Sequence, residues 1–87
     1  MKPGQDLIDQ GISDLLAKKE TVESLLVLIG APRLRRLGFD IPVSAVSSPE
    51  HRLYQVLCET HNNAAHSTYN SLIRRLVSFE RASECAS

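Results

Sequence analysis

Residues 49–82 read PEHRLYQVLCETHNNAAHSTYNSLIRRLVSFERA, with neither glycine nor proline after Pro49. The stretch opens with a helix start signal. Ser48 is placed to cap, Pro49 suits the first helical position, and Glu50 opposes the positive end of the helix dipole. At about 100° per residue, Tyr54, Leu57, His61, Ala65, Thr68, Tyr69, Leu72, Leu76 and Phe79 fall within an arc of about 120°. This predicts one long helix that keeps a single face for about seven turns. Large apolar residues occupy both ends of that face. Between them lies a waist of polar and small residues, Thr60-His61-Asn62-Asn63-Ala64-Ala65-His66-Ser67-Thr68. Asn62-Asn63 is where a break would fall, because asparagine forms helix poorly and caps well.

Upstream, residues 5–29 carry a second apolar seam: Ile8, Ile12, Leu15, then Lys19, then Val22, Leu26 and Ile29. The four–three alternation predicts one helix, with Leu7, Leu16 and Leu25 widening its core-facing stripe. Thr21 offers a cap that would split this helix near residues 18–20; the seam favours continuity with a bend there. Gly11 costs about 1 kcal/mol against alanine in a helix. Gly30 fits the left-handed position that ends one. Pro32 suits the first turn of a short helix over residues 32–37, and Gly38 suits its end. Residues 38–48 then form a connector. In it Phe39, Ile41 and Val43 alternate as if to tuck onto the helices or pair briefly as a strand, and residues 44–48 read as a loop.

Length sets a further constraint. Eighty-seven residues make one domain, 1–87, too small to bury a generous core without a supplement. Cys58 and Cys85 stand 27 residues apart. Along a continuous helix that is roughly 40 Å, which excludes an internal disulfide. Free thiols fit a reducing cytoplasm, and Cys58 reads as a small core residue. Oligomerisation is the supplement that remains. The apolar arc of residues 49–82 also exceeds what a partner helix of about 25 residues can cover, which predicts a dimer.

The formal net charge is zero, so no global field draws nucleic acid or anionic lipid. No stretch is apolar enough to span a membrane; the longest apolar run is residues 25–29. The amino terminus lacks the apolar core of a signal peptide. These features predict a cytoplasmic protein, most simply a bacterial or phage one.

Polar chemistry gathers only at the waist. His61 falls on the apolar face, where it reads as a hydrogen-bonded histidine in a polar layer that sets register or partner choice. His61 and His66 are five apart, and Glu59 and His61 two apart, so neither pair shares a face as metal ligands must. Arg33, Arg35 and Arg36, with Arg74, Arg75 and Arg81, raise the question of nucleic acid. The run from Glu23 to Arg36 has the punctuation of a helix–turn–helix. However, Leu26 stands where a small residue is expected, and a helix ending at Gly38 is too short to read the major groove. Arg74-Arg75, flanked by Asn70 and Glu80, reads as an ordinary charged helix face. No glycine-rich phosphate loop and no nucleophile elbow is present, so no enzyme and no cofactor is expected.

The expectation is an all-α fold: a helical hairpin with a short central helix (32–37), a connector (38–48) and a long C-terminal helix (49–82), paired into a dimeric bundle. The expected function is a non-enzymatic protein–protein interaction module, a small regulator, adaptor or inhibitor of a larger target. Its expected contact residues are Arg33, Arg35, Arg36, His61, Asn62, His66, Arg74 and Arg75. Its expected dimer or core face is Tyr54, Leu57, Ala65, Tyr69, Leu72, Leu76 and Phe79. The alternatives are a nucleic-acid-associated regulator using Arg33, Arg35 and Arg36, and a histidine-dependent metal or small-ligand protein.

Overall fold

The computed structural model describes residues 4–42, 46 and 48–86. The fold is an all-α bundle; among the described residues it has four helices, α1 (Gln5–Leu16), α2 (Val22–Arg36), α3 (Pro49–His61) and α4 (Ala65–Ala86), with a 3-10 turn, Asn62–Ala64, joining the last two. Among the described residues there is no strand. Val43 and most of the predicted 44–48 loop lie outside the described residues.

The predicted 5–29 helix is two helices. Lys18 takes φ 59°, and a cap rebuilds the start of α2 at Thr21. The Ser24 N–H donates to Thr21 Oγ1 (3.1 Å), and the Thr21 N–H donates to Ser24 Oγ (2.8 Å). This reciprocal capping box satisfies two orphan donors at once. Asp14, buried at the end of α1, accepts from Thr21 Oγ1 at 2.6 Å and from Gln10 Nε2 at 2.9 Å. The hydroxyl bond from Thr21, then the amide of Gln10, hold its carboxyl below the ordinary value. The seam that favoured continuity is shared between two antiparallel helices. Leu16 therefore leaves the predicted stripe and is 70% exposed.

The predicted short helix at 32–37 does not exist as a separate element, because α2 runs through Gly30 and Pro32 to Arg36. Gly30 is not a helix stop. A Cβ there would lie 2.9 Å from Leu76 Cδ1 and 3.3 Å from Glu80 Oε2, so its missing side chain lets α4 cross close to α2. Gly11 does the same between α1 and α2, where a Cβ would overlap the Glu23 carbonyl oxygen and Val27 Cγ2. Pro32 forfeits one backbone hydrogen bond, a cost of about 3 kcal/mol that tertiary burial of α2 outweighs. Only at Gly38, φ 99°, does the predicted stop fall where the helix ends.

α2 packs against each of the other three helices, and α3 packs also on α4. Its central stretch of consecutive apolar residues suits that position, since a helix apolar on most sides belongs inside. Leu25, Leu26, Val27 and Leu34 are fully buried there, with Ile8 from α1, Leu53 and Leu57 from α3, and Phe79 from α4. Beyond α2, Phe39 is half-buried with its ring 5.4 Å from that of Phe79, and Ile41 is buried.

The long C-terminal helix is also broken. Asn62 takes φ 48° and ψ −112°, and α4 folds back on α3. Pro49 does occupy the first turn of α3 and Glu50 lies in it, but Ser48 makes no side-chain cap bond. The break falls at the predicted weak point. The 3-10 turn brings the two halves of the predicted face together, so that Tyr54 of α3 meets Tyr69 of α4. Among the described residues, no helix is long and apolar enough to cross a membrane.

Candidate interaction surface

Folding α4 onto α3 changes what the waist is. The predicted face does not lie open along one rod. Leu57, Ala65, Leu76 and Phe79 are buried within this chain, and Tyr69 and Leu72 are half-buried. Much of the apolar length that called for a second chain is covered by the chain itself, while Tyr54 stays exposed. His61, the proposed polar-layer histidine, is exposed at the last position of α3, with Asn62, Asn63 and Ala64 exposed beside it. Cys58, read as core, is exposed as well.

The waist becomes an elbow presented to solvent, with an aromatic cluster on one flank. Tyr54 from α3 meets Tyr69 from α4 edge-on at 5.7 Å between ring centroids, and meets His66 edge-on at 6.4 Å. His66 lies 3.2 Å from Asn70 Nδ2, one turn along α4. Tyr54 is 38% exposed; it and Leu16 are the large hydrophobic side chains exposed among the described residues. Burial, and then the nearby charge of Glu50, push the Tyr69 hydroxyl above its ordinary pKa. Rings held in edge contact lose little rotamer freedom when a partner covers them.

The arginines are deployed differently from the predicted contact patch. Arg33 Nε donates to Glu84 Oε1 at 2.7 Å, and its guanidinium stands 3.6 Å from Glu80. Arg35 donates to the carbonyls of Ile41 (3.0 Å) and Pro42 (3.4 Å), fastening the connector to the end of α2. Arg36 is exposed, close enough to lower the pKa of Glu80. Arg74 is exposed, and Arg75 is half-exposed at 3.8 Å from Asp6. The predicted group of three arginines thus does not act as one free basic patch.

Glu80 is the residue that sequence reading misplaced most. It is 4% exposed, and burial raises its pKa above the ordinary value, against the smaller opposing effect of Arg33. It does not screen Arg74-Arg75, because it points to the other side of α4. The signal was present: Leu76, Phe79, Glu80 and Ser83 share one helical stripe, and all four are buried. Among the described residues, no three His, Cys, Asp or Glu side chains gather in a group that could hold a metal ion. Comparison of the chain with protein-family models, with curated proteins and with solved structures finds no match in any of the three.

Proposed function

We propose that the chain is a non-enzymatic protein-interaction module, a small regulator, adaptor or inhibitor that works by covering a surface of a larger protein. The observation that supports this most is the α3–α4 elbow. Its Tyr54, Tyr69 and His66 rings form one contact cluster on two helices anchored by Leu53, Leu57 and Ala65. Aromatic residues held on rigid elements are the usual anchors of protein interfaces. His61 and Asn62 form the polar rim at the tip. The exposed, unpaired thiols of Cys58 and Cys85 fit a reducing, cytoplasmic setting.

Affinity capture from a lysate of the source cells, read by mass spectrometry, tests the proposal. A partner held by the wild type, lost by Tyr54→Ala/His66→Ala and kept by Arg36→Glu is the expected result. Reproducible capture of nothing counts against it. Light scattering shows whether the partner is a second copy: a monomer turns the search to a different protein, and a dimer makes the elbow the first interface to map.

A further inference from the structure

The buried side of α4 faces α2 and α3 through Ala65, Leu76, Phe79, Glu80 and Ser83. Its opposite side carries Ser67, Asn70, Ser71, Arg74, Ser78 and Arg81, all exposed and lying within an arc of about 100°. No carboxylate shares that arc. The two acidic residues of α4 are committed elsewhere, Glu80 buried on the far side and Glu84 in contact with Arg33 at 2.6 Å. Among the described residues neither Arg74 nor Arg81 has an ion-pair partner. Arg75, at the edge of the arc, stands 3.8 Å from Asp6, longer than a hydrogen bond. A chain of zero net charge therefore gathers positive charge on one helix face.

We propose that this face of α4 docks an acidic segment of the partner protein. The inference rests on the protein-interaction reading and names the chemistry of the partner. Arg74 and Arg81 lie two turns apart, roughly 10 Å along the axis, so carboxylates at that spacing meet both guanidiniums. The planar guanidinium takes a carboxylate in a two-pronged pair. Ser78 between them, and Ser71 one turn before Arg74, are small enough to let a second backbone approach closely. Nucleic acid fits less well. Two or three arginines displace few counterions, so duplex binding through them fades at moderate salt, and Arg33 and Arg35 are engaged within the fold.

Amide shifts of the 15N-labelled full chain test the proposal at about 20 mM and about 150 mM salt. The probes are a helical peptide with glutamates two turns apart, its glutamine counterpart, and a short DNA duplex. The expected result is shifts confined to residues 67–81 with the glutamate peptide, none with the glutamine peptide, and binding weakened about tenfold or more in Arg74→Glu/Arg81→Glu. Arg74→Gln/Arg81→Gln, which adds no charge beside Glu84, is expected to lose less but in the same direction. Shifts centred elsewhere, undiminished binding by both double variants, or tighter binding of the duplex than of the glutamate peptide each overturn it. In lysate capture, a partner held equally by wild type and Arg74→Glu/Arg81→Glu overturns the acidic-face inference while the interaction reading stands. A partner lost by Tyr54→Ala/His66→Ala and by Arg74→Glu/Arg81→Glu, and weakened by Arg74→Gln/Arg81→Gln, supports both.

Discussion

The turn between α1 and α2 and the turn between α3 and α4 each contain one non-glycine residue with positive φ, Lys18 at 59° and Asn62 at 48°. They are held by different means. The first is locked by a reciprocal capping box and by a buried carboxylate that Thr21 itself engages. The second has no side-chain cap bond; the Asn62 N–H reaches back to the Cys58 carbonyl, and Asn62, Asn63 and Ala64 all face solvent. Side chains that satisfy a turn internally are unavailable to a partner. The first turn serves stability, and the second leaves its polar groups open for contact.

Substitutions can break this contrast. The largest effect is expected at the crossing beside the locked turn. Gly11→Ala drives a methyl group into the Glu23 carbonyl and Val27, costing about 3 kcal/mol and lowering Tm by more than about 10 °C. Thr21→Ala removes the cap of α2 and should cost about 1–2 kcal/mol in urea unfolding. At the open turn the backbone matters more than the side chain. Asn62→Ala should cost about 1 kcal/mol, while Asn62→Gly should be neutral or stabilising, because glycine accepts the left-handed region without strain. Equal losses in the two Asn62 variants would mean that its side chain holds the elbow.

The smallest expected effect is a change of slope in Tm against pH. Asp14 has a lowered pKa, so its contribution is present above the ordinary carboxylate value and is lost as pH falls through the folded one. Glu80 has a raised pKa, so its contribution is present below the ordinary value and is lost as pH rises through the folded one. Asp14→Asn should therefore flatten the acid limb near the locked turn, and Glu80→Gln the decline on the other side. A Glu80→Gln profile that overlays the wild type would show that its burial leaves its proton affinity unchanged.

Much of this contrast can be read from the residues, though not its outcome. The helical class, the start at Pro49, the stop at Gly38 and the weak point at Asn62-Asn63 are local signals, and the structure follows them. The misreadings share one cause. A helical wheel assigns a residue to a face but does not say which neighbour will meet that face. The seam through Ile8, Ile12, Val22 and Leu26 looks alike in one helix or in two packed together. Gly30 and Pro32 look like punctuation until Leu76 and Glu80 are placed against them. The elbow residues His61, Asn62 and His66 were picked out by their polarity. Their exposure follows from the fold-back of α4, which no run of sequence encodes by itself.

The central position of α2 bears on how quickly the chain finds its fold. α1 packs on α2, α2 on α3 and α3 on α4, so most partners are also neighbours along the chain, and the α2–α4 crossing is the main contact that must wait for a longer loop to close. Topologies dominated by such near-neighbour closures fold in about microseconds to milliseconds. The seating of Leu76 on Gly30 and the approach of Arg75 to Asp6 close longer loops, so substitutions there should change the unfolding rate more than the folding rate, and those at the α1–α2 turn the reverse.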